Sequence, residues 1–105
     1  MYKKIMVAVD GSEAASKALS EAENIAKTYD AALCIVHSIG GDSDAEKKAG
    51  TEILEQAKSS VSALSVETRL LNAEVEFGLN GVTEAIAAAA TDWAADLLVV
   101  GTANR

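Results

Sequence analysis

The residues best suited to chemistry are Asp10, Gly11 and Ser12, which directly follow a run of five apolar residues from Ile5 to Val9. An unalternating apolar run of this length predicts a strand that is covered on both faces, as in a parallel sheet. Ligands of open α/β sheets bind at the carboxyl ends of the strands. A carboxylate, a glycine and a hydroxyl at such an end therefore predict a polar ligand.

A second strand end of this kind lies near the end of the sequence, where Gly101 and Thr102 follow the apolar run Leu97–Val100. Glycine allows a ligand to approach the backbone closely, so two such ends beside one crevice suggest a nucleotide or another phosphate-bearing molecule. Glycine after a strand is also an ordinary turn residue. Gly101 and Thr102 are therefore open to both interpretations.

Several other reactive residue types have plainer interpretations. Ser12 is in the position of a helix N-cap, and no neighbouring base is implied that would activate it as a nucleophile. Cys34 lies within an apolar run and is interpreted as a buried hydrophobic residue, and His37 as a packed strand residue. Trp93 lies at helical spacing from other apolar residues, which predicts that it is a core residue. Asp10 is open between a ligand contact and a hydrogen bond to the first amides of the following helix.

Catalysis and metal binding are not predicted. The sequence has one histidine and one cysteine. It therefore has few ligands for a metal cluster and cannot form an internal disulfide. No nucleophile and base occur at a recognisable spacing. The prediction is a protein without catalytic or metal-ligating residues.

Charge and hydropathy limit the partners. With 9 basic against 16 acidic residues the net charge is −7, which disfavours nucleic acid as a partner. No segment approaches the roughly 20 apolar residues of a membrane span. Asp10 interrupts the first apolar run too early for a signal peptide. We therefore expect a cytoplasmic protein with no nucleic-acid or membrane partner.

The elements that would position these residues alternate between strands and helices. Apolar residues at helical spacing follow Ser12 as far as Tyr29, and Ser43 with Glu46 has the pattern of a capping box. A loop is predicted for 72–81. The predicted strands are Ile5–Val9, Ala31–Ile39, Val66–Leu71 and Asp96–Gly101, and the predicted helices follow Ser12, Ser43 (apolar positions to Leu64) and Gly81 (Val82 to Trp93).

This order predicts an α/β domain with a doubly wound parallel sheet, formed by residues 1–105 as a single unit. The third strand alternates and carries Glu67 and Arg69, which is typical of a sheet edge. The fourth strand is uniformly apolar and is predicted to be buried.

Three segments together resemble the universal stress protein family. They are Lys-Ile-Met-Val-Ala-Val-Asp-Gly-Ser at positions 4–12, His37 near the end of the second strand, and Ala-Asp-Leu-Leu-Val-Val-Gly-Thr at positions 95–102. The resemblance covers nearly the whole chain. It implies the adenine nucleotide alpha hydrolase-like fold with strand order 3-2-1-4-5, a cytoplasmic homodimer and, in one subgroup, ATP binding with weak ATP hydrolysis at most.

The resemblance also implies particular ligand contacts. The adenosine contacts of the family correspond to Ala8, Val9 and Asp10 after the first strand and to Ser38 after His37. Its phosphate loop would begin at Gly101. The implied nucleotide site therefore consists of Ala8, Val9, Asp10, Ser38, Val100, Gly101 and Thr102.

The sequence departs from the family pattern after Gly101. Asn104 stands in the place of the second glycine of the phosphate loop, and the family's third glycine with its hydroxyl, like its fifth strand, is missing from the sequence. The expected sheet is therefore 3-2-1-4. Its fourth strand, Leu97–Val100, would be an edge able to pair with a second copy of the chain.

Three functions from different classes are compatible with this outline. One is a stress-response regulator or sensor that binds an adenine nucleotide, and another is a stress adaptor that binds no nucleotide and acts through its homodimer surface. The third is a phosphoacceptor receiver domain, which needs paired acids after the first strand and an aspartate after the third. Asp10 stands alone and Asn72 lies near the end of the third strand, which disfavours the receiver.

Overall fold

The computed structural model describes residues 2–40, 43–61, 65–72 and 79–101, with side chains in the last range from residue 84 onward. All strand pairs are parallel, in the order β3-β2-β1-β4. This confirms the predicted doubly wound sheet and its order 3-2-1-4. The elements are β1 (Lys4–Ala8), α1 (Glu13–Tyr29), β2 (Ala32–Ile39), α2 (Asp44–Ser59), β3 (Val66–Asn72), α3 (Leu79–Trp93) and β4 (Leu97–Val100).

Helix α1 has the predicted start and a defined end. Ser12 is its N-cap, and the Ala15 amide donates a hydrogen bond to the Ser12 Oγ at 3.1 Å. At the other end Asp30 has left-handed backbone geometry, with φ 56°, and its amide donates to the Ala26 carbonyl. Both ends of α1 are therefore satisfied by local hydrogen bonds.

Helix α2 is capped as predicted, but it ends before the last apolar residues that were predicted to belong to it. The Glu46 amide donates to the Ser43 Oγ at 3.2 Å, and the Ser43 hydroxyl lies 3.2 Å from the Glu46 Oε1. The helix ends at Ser59, so extending it to Val61 is wrong. The Ser59 and Ser60 hydroxyls donate to backbone carbonyls three residues earlier, which competes with further helical turns. Leu64, the last position of the predicted period, lies outside the described residues.

Two apolar layers cover the two faces of the sheet. Helices α1 and α2 pack on one face and α3 on the other. Strands β1 and β2 are buried on both faces, which explains their unalternating sequences. The layer with α1 and α2 includes Ile5, Val7, Val9, Leu19, Leu33, Ile35 and Leu54, and the layer with α3 includes Met6, Ala8, Cys34, Val36, Ala89 and Trp93.

Strand β4 is not buried on both faces, and that prediction was wrong. Leu97 and Val99 pack against the α1 side, whereas Leu98 and Val100 are 38% and 51% exposed. Helix α3 packs mainly on β2 and β3. Its cover therefore does not extend over the outer face of β4 in the part of the chain that the structure describes.

The β3 edge agrees with the prediction, whereas α3 begins earlier than predicted. The Arg69 guanidinium in β3 contacts the Asp92 carboxylate of α3 at 3.3 Å and the Glu67 carboxylate at 3.4 Å. Helix α3 begins at Leu79, three residues before the predicted start. A glycine within a first helical turn costs only about 1 kcal/mol, so Gly81 does not exclude helix.

Candidate functional site

The segment after β1 positions a charged carboxylate at the end of the sheet. The Ser12 amide donates to the Asp10 Oδ1 at 2.9 Å. This is the hydrogen bond of an Asx-turn, in which an aspartate side chain accepts from the backbone amide two residues later. Gly11 between them has φ +83°, where a side chain is strained. The hydrogen bond from the Ser12 side chain and then that from its amide lower the pKa of Asp10, while partial burial opposes this. Asp10 is thus an exposed anion at neutral pH.

A cavity of about 150 Å³ lies at the carboxyl ends of β1, β2 and β4, on the face covered by α3. We call it the strand-end cavity. It brings together every residue of the predicted nucleotide site except Thr102, which lies outside the described residues. Its lining residues are Ala8, Val9, Asp10, His37, Ser38, Ile86, Val100 and Gly101.

Ser38 supplies an unused hydroxyl to this cavity. Its Oγ is buried and, among the described residues, has no hydrogen-bond partner. A buried polar group without a partner destabilises a protein by roughly 1–3 kcal/mol, so native proteins contain few of them. The Ser38 hydroxyl can both donate to and accept from a ligand that enters the cavity.

His37 joins the end of β2 to the end of β1. Its Nδ1 lies 2.7 Å from the Val9 carbonyl oxygen. Because a carbonyl can only accept, Nδ1 carries the proton and donates, which leaves Nε2 as the acceptor in the neutral ring. The ring is half-buried within β2, in agreement with its interpretation as a packed strand residue.

Two lining residues, His37 and Ile86, are absent from the sequence-predicted set. His37 could have been added, since it precedes Ser38 at the end of the same strand. Ile86 lies within the predicted helix Val82 to Trp93, but spacing along a helix does not tell which strand end the helix crosses.

Gly101 has a packing reason in addition to its place in the cavity. A Cβ at this position would lie 2.8 Å from the Ala14 carbonyl carbon and 3.0 Å from the Ala15 Cα. Both are backbone atoms of the first turn of α1, which cannot move aside as a side chain can. The close approach of α1 to the end of β4 therefore requires glycine, whether or not a ligand binds there.

Metal and thiol chemistry have little support in the described part of the chain. No group of three or more His, Cys, Asp or Glu residues lies close enough there to hold a metal ion. Cys34 is fully buried in β2, as predicted, and burial raises the pKa of its thiol to about 11. Among the described residues, no helix is long and apolar enough to cross a membrane.

The fold and the cavity define a doubly wound α/β protein with a pocket at its strand ends. The model of the universal stress protein family matches residues 1–105, and the chain therefore belongs to the universal stress protein family. This confirms the resemblance noted from the three sequence segments. A comparison with curated proteins finds no match.

Solved structures with the same fold include other members of this family. The chain is similar to protein Rv1636 from Mycobacterium tuberculosis H37Rv, with 32% identity over 95% of this chain and 71% of that one and a TM-score of 0.73. A universal stress protein family member from Burkholderia pseudomallei is 29% identical over 96% and 82%, with a TM-score of 0.78. A universal stress protein solved in complex with cAMP is 24% identical over 94% and 75%, with a TM-score of 0.77.

Proposed function

We propose that this protein is a cytoplasmic stress-response regulator or sensor that binds an adenine nucleotide, ATP in the first instance, in the strand-end cavity. The observation that carries the proposal is the buried, unpartnered Ser38 hydroxyl in the same cavity as the Asp10 carboxylate. A bound ligand would supply the hydrogen bond that Ser38 lacks. The ionised Asp10 would accept from the hydroxyl groups of a ribose.

The size and lining of the cavity favour the base over the phosphates as its occupant. An engineered cavity of about 150 Å³ holds a benzene ring, so the strand-end cavity is of the order of an aromatic ring system. Ala8, Ile86 and Val100 would pack against the base. The sugar and phosphates would lie outside, toward Gly101.

The neighbour solved with cAMP gives limited support. At 24% identity it shares the fold with this chain, and the fold alone does not determine the ligand. The proposal therefore depends on the residues of this cavity.

A serine-to-alanine pair tests the proposal by calorimetric titration with ATP. Ser38→Ala is expected to weaken ATP binding roughly fivefold, because one hydrogen bond contributes about 1 kcal/mol. The same change at Ser20, which is exposed in the middle of α1, should leave affinity unchanged. Removal of an unpartnered hydroxyl should not lower stability, so a loss of binding would not reflect misfolding. Absence of binding at millimolar ATP, or equal affinity in both variants, would contradict the proposal.

We propose a binding role and not a catalytic one for this site. The Ser12 Oγ accepts from the Ala15 amide and so acts as a helix cap. The His37 Nδ1 is engaged by the Val9 carbonyl. ATP incubated with the protein should remain intact apart from weak hydrolysis, as measured by chromatography of the nucleotides.

A second candidate function is a stress adaptor that binds no nucleotide and acts through a homodimer. The exposed apolar side chains of Leu98 and Val100 on β4 favour it. Native mass spectrometry separates the two candidates. A retained nucleotide supports the first, whereas a dimer that neither retains nor binds nucleotide supports the second.

A further inference from the structure

A second, larger cavity lies on the opposite face of the sheet, between α1 and α2, with a volume of about 190 Å³. We call it the interhelical cavity. Its floor is apolar and its rim carries hydroxyl and amide groups. The lining residues are Val9, Gly11, Ser12, Ala15, Ser16, Leu19, Ile53, Gln56, Ala57 and Ser60.

The described lining residues are uncharged, although the helices that contribute them carry charged residues. None of the described residues that line the interhelical cavity carries a charge, in a chain with 24% charged residues. Lys17 and Glu55 adjoin Ser16 and Gln56 in the sequence but do not line the cavity. An ion placed against this floor would lose hydration without gaining an opposite charge, which is costly.

Two polar groups at the rim are available to a ligand. Within the described part of the chain, neither the Ser16 hydroxyl nor the Gln56 side-chain amide is hydrogen-bonded to another residue. By contrast, the Ser60 hydroxyl donates to the Ala57 carbonyl. The Ser16 and Gln56 groups include both donors and acceptors, so they suit an alcohol or an amide.

We propose that the interhelical cavity binds a small uncharged molecule with an apolar body of about one ring and one hydroxyl or amide group. The apolar body would lie on Leu19, Ile53 and Ala57, and its polar group would meet Ser16 or Gln56. The volume exceeds the roughly 150 Å³ that holds benzene in an engineered cavity. Only Val9 is shared with the strand-end cavity, so the proposal does not depend on nucleotide binding.

A titration with three probes of similar size tests the charge preference. Benzyl alcohol, benzoate and benzylammonium are added to the full chain, and amide shifts are followed by ¹⁵N–¹H NMR. Benzyl alcohol is expected to cause saturable shifts at Ser16, Ile53, Gln56 and Ser60. The two ions should bind at least tenfold more weakly. Equal binding of an ion, or shifts spread over the surface without saturation, would overturn the proposal.

A filling substitution locates the binding. Ala57→Leu places a larger side chain in the cavity and should weaken benzyl alcohol binding at least tenfold. Ala49→Leu makes the same change at an exposed position of α2 and should leave binding unchanged. Unchanged binding to Ala57→Leu would overturn the proposal.

An isosteric substitution keeps the test valid if Ala57→Leu does not fold. Gln56 is exposed, so Gln56→Glu should fold normally while placing a carboxylate on the rim. Benzylammonium should then gain affinity relative to benzyl alcohol. An unchanged ratio of the two affinities would contradict the assigned site. ATP titrations of the same variants report on the strand-end cavity separately.

Discussion

The Asp96 carboxylate links the beginnings of the neighbouring strands β1 and β4. Its Oδ2 accepts from the Lys3 amide at 2.8 Å and from the Lys4 amide at 2.9 Å. The Asp96 amide in turn donates to the Lys4 carbonyl at 2.7 Å. The hydrogen bonds from the Lys3 and Lys4 amides lower the pKa of Asp96. Asp96 therefore stabilises the start of the β1–β4 pair while it is ionised.

This arrangement predicts a pH-dependent effect of Asp96→Asn. A carboxyl whose pKa is depressed by folding stabilises the fold above its ordinary pKa, here 3.8, and this stabilisation is lost as the pH falls through the folded pKa. Wild type should be more stable than the variant at pH 7, and the difference should shrink as the pH falls below 3.8. Urea unfolding across this pH range measures it.

Asp30→Asn is the matched control for Asp96→Asn. It makes the same change at the left-handed end of α1, where asparagine is well tolerated. At pH 7 Asp30→Asn should not show the difference in free energy of unfolding from wild type that is expected for Asp96→Asn. A difference for Asp96→Asn that stays constant from pH 7 to about pH 2.5 would rule out the carboxylate as its cause.

The Cys34 thiol is predicted to be unreactive in the folded protein. It is fully buried, and burial raises its pKa to about 11, so the thiolate fraction at pH 8 is about 100-fold below that of an ordinary thiol. Reaction with a disulfide reagent should be at least 100-fold slower in buffer than in concentrated urea. Rapid labelling of the folded protein, followed by absorbance, would contradict this burial.

At the scale of the elements, two glycines define how closely helices approach the sheet. Gly101 faces backbone atoms of α1, as described above. Gly50 is buried in α2, and a Cβ there would lie 2.7 Å from the Leu70 Cδ1 and 2.9 Å from the Ile39 Cγ2. The Leu70 Cδ1 is the end of a side chain that is 36% exposed and able to move, whereas the Ile39 Cγ2 belongs to a buried side chain. The contacts at Gly101 and at Gly50 therefore differ in how easily they relax.

This difference predicts unequal effects of the same substitution. Gly101→Ala should lower the free energy of unfolding by about 1–3 kcal/mol, because the backbone of α1 must shift. Gly50→Ala should cost less, since alanine gains up to about 1 kcal/mol of helix propensity and methyl groups can rearrange. Urea unfolding at neutral pH measures the free energy of unfolding of both variants and of wild type. A larger loss for Gly50→Ala would show that the α2 contact is the more rigid one.

For the molecule as a whole, the two edges of the sheet differ in their suitability for self-association. The β3 edge carries the Arg69, Glu67 and Asp92 ion pairs, whereas β4 exposes Leu98 and Val100. Charged edges resist pairing with other strands and apolar edges favour it. We therefore propose β4 as the strand through which two copies associate.

Charge substitutions at similarly exposed leucines test this proposal. Leu98→Lys should shift the protein toward monomer in sedimentation velocity experiments over a wide concentration range. Leu70→Lys, at the opposite edge with 36% rather than 38% exposure, should leave association unchanged. Equal effects of the two variants, or a monomeric wild type at every concentration, would count against association through β4.

The sequence by itself determined the order of the elements, the parallel sheet and the two helix N-caps. Apolar runs, helical spacing and capping residues are local features, and short-range sterics and hydrogen bonds are enough to interpret them. The resemblance to the universal stress proteins added Ala8, Val9, Ser38 and Val100, all of which line the strand-end cavity. These parts of the prediction required no knowledge of which helix covers which strand.

Only the tertiary structure decided the remaining features, because they depend on contacts between distant segments. The half-exposed β4 follows from the position of α3 over β2 and β3, and the buried Ser38 hydroxyl from the meeting of three strand ends with α3. Gly101 is required by the first turn of α1, far away in the sequence. The interhelical cavity likewise exists only where α1 and α2 lie side by side, and no local pattern indicates the space between two helices.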